Sequence, residues 1–409
     1  MGRILSALLA VLAVSFATAL VLSVPPAVPS ATAKASPRSQ AHASGTPEAK
    51  LSAVFEEIGR QRFDTALDEV DRLLAEHPNF RLAHLIRGDL LLARARPLST
   101  LGNAPNAPAE RMSDLREEAI ARLRAYREKP GAEKLPRYLL QLRPDQEYAV
   151  VVDTGRSRLY LYRNDRGRPR LVSDYYVSSG KRGSSKTREG DQKTPIGVYH
   201  VTSSLPRAKL TDFYGSGAFP INYPNEWDRR QGRNGHGIWL HGTPSDTFSR
   251  PPRASDGCVV LANTDLDLVA KTIQVGVTPV VISDEIQWVS TDEWTSERKQ
   301  FAEQIDQWRR DWESRDTAKY LTHYSKNFSS GNDTFASWRD QKERVNAGKT
   351  WIKVRIGDLS FFRDPGKEDL MVVTFEQEYR SNNLNNVMKK RQYWMREGNA
   401  WRIVFEGAA

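Results

Sequence analysis

The hydrophobic pattern changes period along the chain, and each change separates one kind of structure from the next. Residues 4–24 are almost wholly apolar behind a short basic start, Met1-Gly2-Arg3. A Pro/Ala/Ser-rich stretch follows and reads as a flexible tether, with residues 34–50 as the linker. From residue 51 the period is helical. Phe63, Ala66, Val70, Leu73 and Leu74 share one face, and Pro78-Asn79 closes the run. Ala83 and Gly88 open a second pattern, residues 98–108 are a Gly/Asn/Pro loop, and residues 114–126 predict another helix. The helical region is expected to extend to residue 143.

From residue 147 the pattern is β-like. Tyr148-Ala149-Val150-Val151-Val152-Asp153 and Leu159-Tyr160-Leu161-Tyr162, joined by Thr154-Gly155-Arg156-Ser157, predict a hairpin. Strands are expected at 173–179, 197–203 and 277–283, a short helix at 265–272, and long Gly-rich loops between them. A polar hinge spans 284–295. Beyond it come helical spacing at 301–312 and 338–345, then alternating strands at 351–356, 370–379, 389–396 and 401–405. The expected fold class is multidomain α + β: a helical region at 51–143, a mainly-β domain at 147–284, and a separate α+β domain at 296–409. In the first of these, Phe63, Ala66, Pro78 and Gly88 fall where a tetratricopeptide-type repeat places aromatic, small, Pro and Gly residues. At most one and a half repeats are visible, and a plain helical hairpin accounts for the pattern equally well.

Composition adds location. The apolar start with small residues behind it, at 1–33, reads as a secretory signal or an uncleaved signal anchor. The chain is therefore expected to be exported to the periplasm, touching a membrane only through that segment. No cysteine stands near its end, which excludes a lipoprotein anchor. The formal charge is +10 and the pI about 9.5. Such a surface suits an acidic polymer or a membrane face, and nucleic acid is a poor partner for an exported protein. On charge alone, a solvated basic face with no specific partner is the preferred reading.

Candidate chemistry centres on Cys258, the only cysteine among 409 residues. A lone thiol forms no internal disulfide and supplies too few ligands for a zinc–thiolate site. It is a buried small hydrophobe or a nucleophile. It sits in Ser255-Asp256-Gly257-Cys258, in a polar, turn-forming stretch. His241 stands seventeen residues upstream, at the end of the apolar run Ile238-Trp239-Leu240-His241-Gly242. A thiolate with a nearby imidazole is the minimum set for covalent acyl transfer.

Residues 147–283 resemble the L,D-transpeptidase catalytic domain of the YkuD type. The match is carried by Gly190-Asp191-Gln192-Lys193-Thr194-Pro195-Ile196-Gly197-Val198-Tyr199, by His241-Gly242, and by Ser255-Asp256-Gly257-Cys258-Val259-Val260-Leu261. Residues 296–409 resemble an NTF2-like or SnoaL-like accessory domain, which implies a cone of helices against a curved sheet. The resemblance implies peptidoglycan stem peptides as substrate. It implies attack by Cys258 after the third residue of a stem tetrapeptide, release of D-alanine, and transfer of the acyl group from the thioester to an amine. It implies no metal and no cofactor. His241 would be the general base and acid, the Gly242 carbonyl would orient it, and backbone N–H groups at Gly257 and Cys258 would hold the oxyanion. Water in place of the amine would make the same site an L,D-carboxypeptidase or wall-protein amide hydrolase. A third reading is a non-catalytic scaffold that binds wall or envelope proteins through its helical and NTF2-like parts.

The family usually has histidine where this chain has Asp256, and a polar residue where it has Val260. A carboxylate beside the nucleophile disfavours thiolate unless a cation offsets it, and Arg253 is the expected partner. Ser255, Arg253, Trp239 and Tyr214 are the expected substrate-binding residues. Trp308, Trp312, Tyr320 and Trp338 are expected to fill a core rather than line a pocket, with no acid/base set around them.

Overall fold

The computed structural model of the chain describes residues 45–103, 107–366 and 369–409. The expected export segment at 1–33 lies outside them, as does the linker up to residue 44. The described residues form two compact units. One comprises those up to Lys129 together with Ser245–Pro252; the other comprises Pro130–Pro244 and Arg253–Ala409.

The first unit contains helices α1 (Pro47–Gly59), α2 (Phe63–Glu76), α3 (Arg81–Ala93) and α4 (Ala109–Arg127). Thr46 accepts a hydrogen bond from the Ala49 N–H and caps α1, so the expected linker ends before residue 47. Ala66, Val70 and Leu73 are fully buried at helical spacing, whereas Phe63, at the start of α2, is 40% exposed and outside the stripe. The interior is not purely apolar. Arg122 is held between Glu48 and Glu118, with all three side chains buried. Ser249 donates to Glu118 at 2.6 Å, and the Phe248 ring lies 4.7 Å from that of Phe80.

The helical region ends at Arg127, not at 143. Lys134–Pro136 (β1) and Leu139–Gln141 (β2) are strands. Leu135, Leu139 and Leu140 are compatible with either period, and strands from far along the chain decide the matter: β1 pairs with residues 288–290 and β2 with residues 361–362.

The second unit has a ten-stranded sheet made of β3 (Tyr148–Asp153), β4 (Arg158–Asp165), β5 (Arg168–Gly180), β6 (Gly197–His200), β7 (Leu205–Pro206), β8 (Gly217–Pro220), β9 (Trp239–His241), β10 (Arg253–Ser255), β11 (Val259–Leu261) and β12 (Pro279–Ser283). Helix α5 (Glu226–Arg230) precedes β9, and α6 (Asn263–Ala270) follows β11. The order is β6-β12-β3-β4-β5-β11-β9-β8-β7, with β10 added to β5. The predicted hairpin is β3–β4, in register from Tyr148↔Arg163 to Asp153↔Arg158.

The expected hinge at 284–295 is instead ordered. Trp288–Ser290 (β13) pairs with β1, and Ser290 and Glu293 form a capping box that starts α7 (Thr291–Glu313). Then come α8 (Thr317–Leu321), β14 (Tyr324–Ser330), β15 (Asp333–Thr334), α9 (Phe335–Ala347), β16 (Ile352–Arg363), β17 (Leu370–Ser381), β18 (Leu384–Glu397) and β19 (Ala400–Ala408). These strands, closed at one edge by β2, run β15-β14-β19-β18-β17-β16-β2. Alternation gives the sheet two buried faces. Phe361, Phe375 and Trp394 pack with Trp308 and Trp312 of α7, while Phe362, Val372 and Tyr393 pack with Val151, Tyr160 and Val281 of the first sheet. The expected aromatic set is core: Trp308, Trp312, Tyr320 and Trp338 are all buried. An ionic set does accompany it, contrary to expectation. Lys390 pairs with Glu406, and burial lowers the Lys342 ammonium to about 8. These residues lie on separate elements, so no local motif announces them.

Candidate active site

His241 ends β9 and Cys258 immediately precedes β11. The two strands are parallel neighbours with Val259 opposite Leu240 and Val260 opposite His241, so the register brings the two residues together across seventeen positions of chain. His241 is buried and its Nδ1 lies 2.7 Å from the Gly242 carbonyl oxygen. A carbonyl only accepts, so Nδ1 carries the proton and Nε2 is left as the basic nitrogen. Cys258 is half-buried, and its thiol donates to the Gly237 carbonyl at 3.3 Å. Tyr214 and Phe213 stand against the imidazole, with ring centroids 5.2 and 5.9 Å away, and Trp239 lies 4.8 Å from Tyr214. Of the expected substrate-binding residues, Tyr214 thus stands against the histidine and Trp239 packs on Tyr214, while Phe213, absent from the expected set, also faces the imidazole at 50% exposure.

The turn before Cys258 is held from inside. Ser255 is buried; its hydroxyl donates to the Cys258 carbonyl at 2.6 Å and accepts from the Gly257 N–H at 3.1 Å. These two bonds shape the turn. The second also commits one of the two expected oxyanion donors, so an oxyanion using the Gly257 N–H must displace Ser255. Gly257 has φ +128°, and a Cβ there would lie 2.7 Å from the Lys193 carbonyl oxygen. Both facts require glycine.

Asp256 does not meet Arg253. It accepts from Lys181 Nζ at 3.1 Å and from Gln192 Nε2 at 3.0 Å. Arg253 instead opens β10, beside Ser179. The Gly-rich loop that supplies these partners is pinned by Asp191. It pairs with buried Lys186 at 2.7 Å and accepts from the N–H groups of Thr187, Arg188 and Lys193. Burial pushes this carboxyl up, but the Lys186 bond and the backbone donors outweigh it and hold it at about 2.

Asn263 was not among the expected residues and proves central. Its side chain accepts from the Ser216 N–H at 2.9 Å and donates to the Thr243 carbonyl at 2.8 Å. It thereby ties the segment after Tyr214 to the segment after Gly242. The Gly242 N–H donates to the Tyr214 carbonyl at 3.0 Å, and a Cβ at 242 would collide with the Asn263 side chain. The only sequence signal is an amide side chain at the start of a helix just past Cys258. A cavity of about 680 Å³ elsewhere in this unit is bordered by His200, Glu226, Lys389 and Arg391, and includes none of the site residues. Among the described residues no three His, Cys, Asp or Glu side chains are grouped to hold a metal ion.

Residues 147–282 match the family described as the L,D-transpeptidase catalytic domain, YkuD. Residues 300–407 match the Cds6 C-terminal NTF2-like domain. Among solved structures, the chain is similar to Bd1075 of Bdellovibrio bacteriovorus, with 29% identity, a TM-score of 0.61, and coverage of 68% of this chain and 98% of that one. It is also similar to the helical cell shape determining protein Pgp2 of Campylobacter jejuni, with 24% identity, a TM-score of 0.55, and coverage of 66% and 95%. The latter likeness is one of fold. No curated protein matches the sequence.

Proposed function

We propose that this chain, whose residues 147–282 are an L,D-transpeptidase catalytic domain and whose residues 300–407 are an NTF2-like domain, is an exported peptidoglycan L,D-transpeptidase working through Cys258. The observation that carries the reading is the His241 ring, fixed by the Gly242 carbonyl so that Nε2 is the basic nitrogen in the strand beside the thiol. The thiol leaves its resting bond to Gly237 and gives its proton to Nε2. The thiolate attacks the carbonyl carbon of the third stem residue. The bond to the terminal D-alanine breaks, and the imidazolium proton goes to the departing amine. An acceptor amine then attacks the thioester and loses a proton to His241, and the thiolate leaves and recovers it. The product is a 3–3 crosslink, an exchanged D-amino acid or an attached protein. Tyr214, Phe213 and Trp239 offer the stem an aromatic wall beside the imidazole.

The apolar start of the sequence supports export, and the basic balance of +10 suits an anionic wall. The helical and NTF2-like parts are assigned to docking on wall or envelope partners. Incubation with purified peptidoglycan and analysis of the muropeptides tests the reading. Crosslinked dimers or exchanged D-amino acids are expected. Tripeptides without dimers would make it a hydrolase, and an unchanged profile would make it a scaffold.

A further inference from the structure

Asp256 and Lys181 are an odd pair to find beside a nucleophile. Their side chains are 68% and 50% exposed, and an ion pair so exposed contributes only about 0–1 kcal/mol to stability. Yet the backbone beneath them is tightly fixed. The Lys181 N–H donates to the Ser255 carbonyl at 2.8 Å, and Gly180 is so closely packed that a Cβ would lie 2.5 Å from the Gln192 carbonyl oxygen. Gln192 then steadies Asp256 from the other side. Both contacts of the carboxylate fall on Oδ1, and Oδ2 has no partner among the described residues. The Lys181 ammonium has three N–H groups and spends one on Asp256. One anion and one cation are thus held side by side, each with hydrogen-bonding capacity to spare. Asp256 is two residues from Cys258, and two residues of chain span at most about 7 Å.

We propose that Asp256 and Lys181 form a receptor for a zwitterionic amino-acid terminus, with Asp256 taking its ammonium and Lys181 its carboxylate. The ligand's two charges sit on one carbon, so they match a cation and an anion 3.1 Å apart, and the four groups make a closed ring of opposite charges. The inference rests on the transpeptidase reading above. Within it, such a terminus has two sources: the free end of a diamino acid at the third position of the donor stem, or the amino acid that brings the acceptor amine. Gln192 is a positioning residue for Asp256.

The test uses the full chain and three tetrapeptide donors that differ only in the side chain of the third residue. One ends in –CH(NH3+)CO2− (meso-diaminopimelate), one lacks the carboxylate (lysine), and one has the side-chain amine acetylated. D-alanine release is followed as kcat/KM, and discrimination is read as a ratio between donors, which cancels any change in thiol reactivity. Wild type should favour the zwitterion about 10- to 100-fold over either analogue. Lys181→Met should erase the preference over the lysine donor, Asp256→Asn the preference over the acetylated donor, and Lys181→Arg should restore most of the first. Discrimination in D-alanine release assigns the receptor to the donor. Discrimination only in crosslinking, with the three amino acids offered as acceptors, assigns it to the acceptor. Equal rates with all donors and acceptors in wild type, or preferences that survive both substitutions, overturn the receptor and leave the transpeptidase reading intact. Release of D-alanine from none of the donors overturns both.

Discussion

At the scale of single residues, the proposed chemistry depends on one sulfur and on the turn that presents it. Cys258→Ala removes only a small side chain from a half-buried position. It is expected to abolish product and acyl-enzyme while leaving the thermal transition in place. A carbapenem should add its mass to the wild type and not to the variant, as read by intact-mass measurement. Gly257→Ala should behave differently, because φ +128° and the Lys193 carbonyl oxygen leave no room for a Cβ. The strain is about 1–3 kcal/mol, so both melting temperature and turnover should fall. The charges flanking the thiol act in opposite directions. Asp256→Asn leaves the Lys181 cation uncompensated and should let a small alkylating agent react at lower pH than in wild type, whereas Lys181→Met should require higher pH. Equal profiles for all three would mean that neither charge reaches the sulfur.

At the scale of elements, the site is a set of short loops held by side-chain contacts, among them Asp191 to Lys186 and Asn263 to Ser216 and Thr243. Asp191 organises the loop before β6, and its removal strands the Lys186 ammonium, 3% exposed, without its carboxylate. Asp191→Ala is therefore expected to cost about 3–5 kcal/mol, measured by denaturant unfolding. Held at about 2 in the fold, against about 3.9 for an ordinary aspartate, this carboxyl stabilises the protein fully above about pH 4, and its contribution is lost as pH falls toward 2. Asn263→Ala should lower kcat with a smaller effect on stability, because it frees the segments after Tyr214 and Gly242 that frame His241. These elements also show what could be read from the chain alone. Cys258, His241, Gly242 and Asp256 stand in short contiguous motifs whose chemistry is local. Lys181, Gln192 and Asn263 act on partners 75, 64 and 47 residues away, and neither the motif that contains Gln192 nor the helix that Asn263 begins names those partners. Arg253 is the nearest cation in sequence to Asp256, but the pairing of β10 with β5 brings Lys181 to that turn instead.

At the scale of the whole molecule, the catalytic sheet and the C-terminal sheet share one interior. Trp227 stacks on Tyr393 at 5.5 Å, Arg391 pairs with Glu226 at 2.9 Å, and β2, upstream of the catalytic strands, is an edge strand of the C-terminal sheet. The alternating pattern after residue 351 announced that sheet, but its second buried face and its borrowed strand are products of tertiary pairing and leave no local trace. A chain ending before Trp288 would expose Val151, Tyr160 and Val281, along with the unpaired edge of β2. It is expected to aggregate rather than yield a monomeric catalytic fragment, as size-exclusion chromatography would show.

The discontinuity of the helical unit has a consequence in time. Among the described residues, α1–α4 are complete more than a hundred residues before Phe248 and Ser249 reach the ribosome's exit. Until they do, Phe80 lacks its ring partner and Glu118 its hydroxyl donor. This helical unit, synthesised before β9, thus closes only when β9 has already been made. All ten tryptophans lie at or beyond residue 227, so native fluorescence is blind to this event. A Phe248→Trp reporter would see it, and during refolding its burial should lag helix formation by circular dichroism instead of accompanying it.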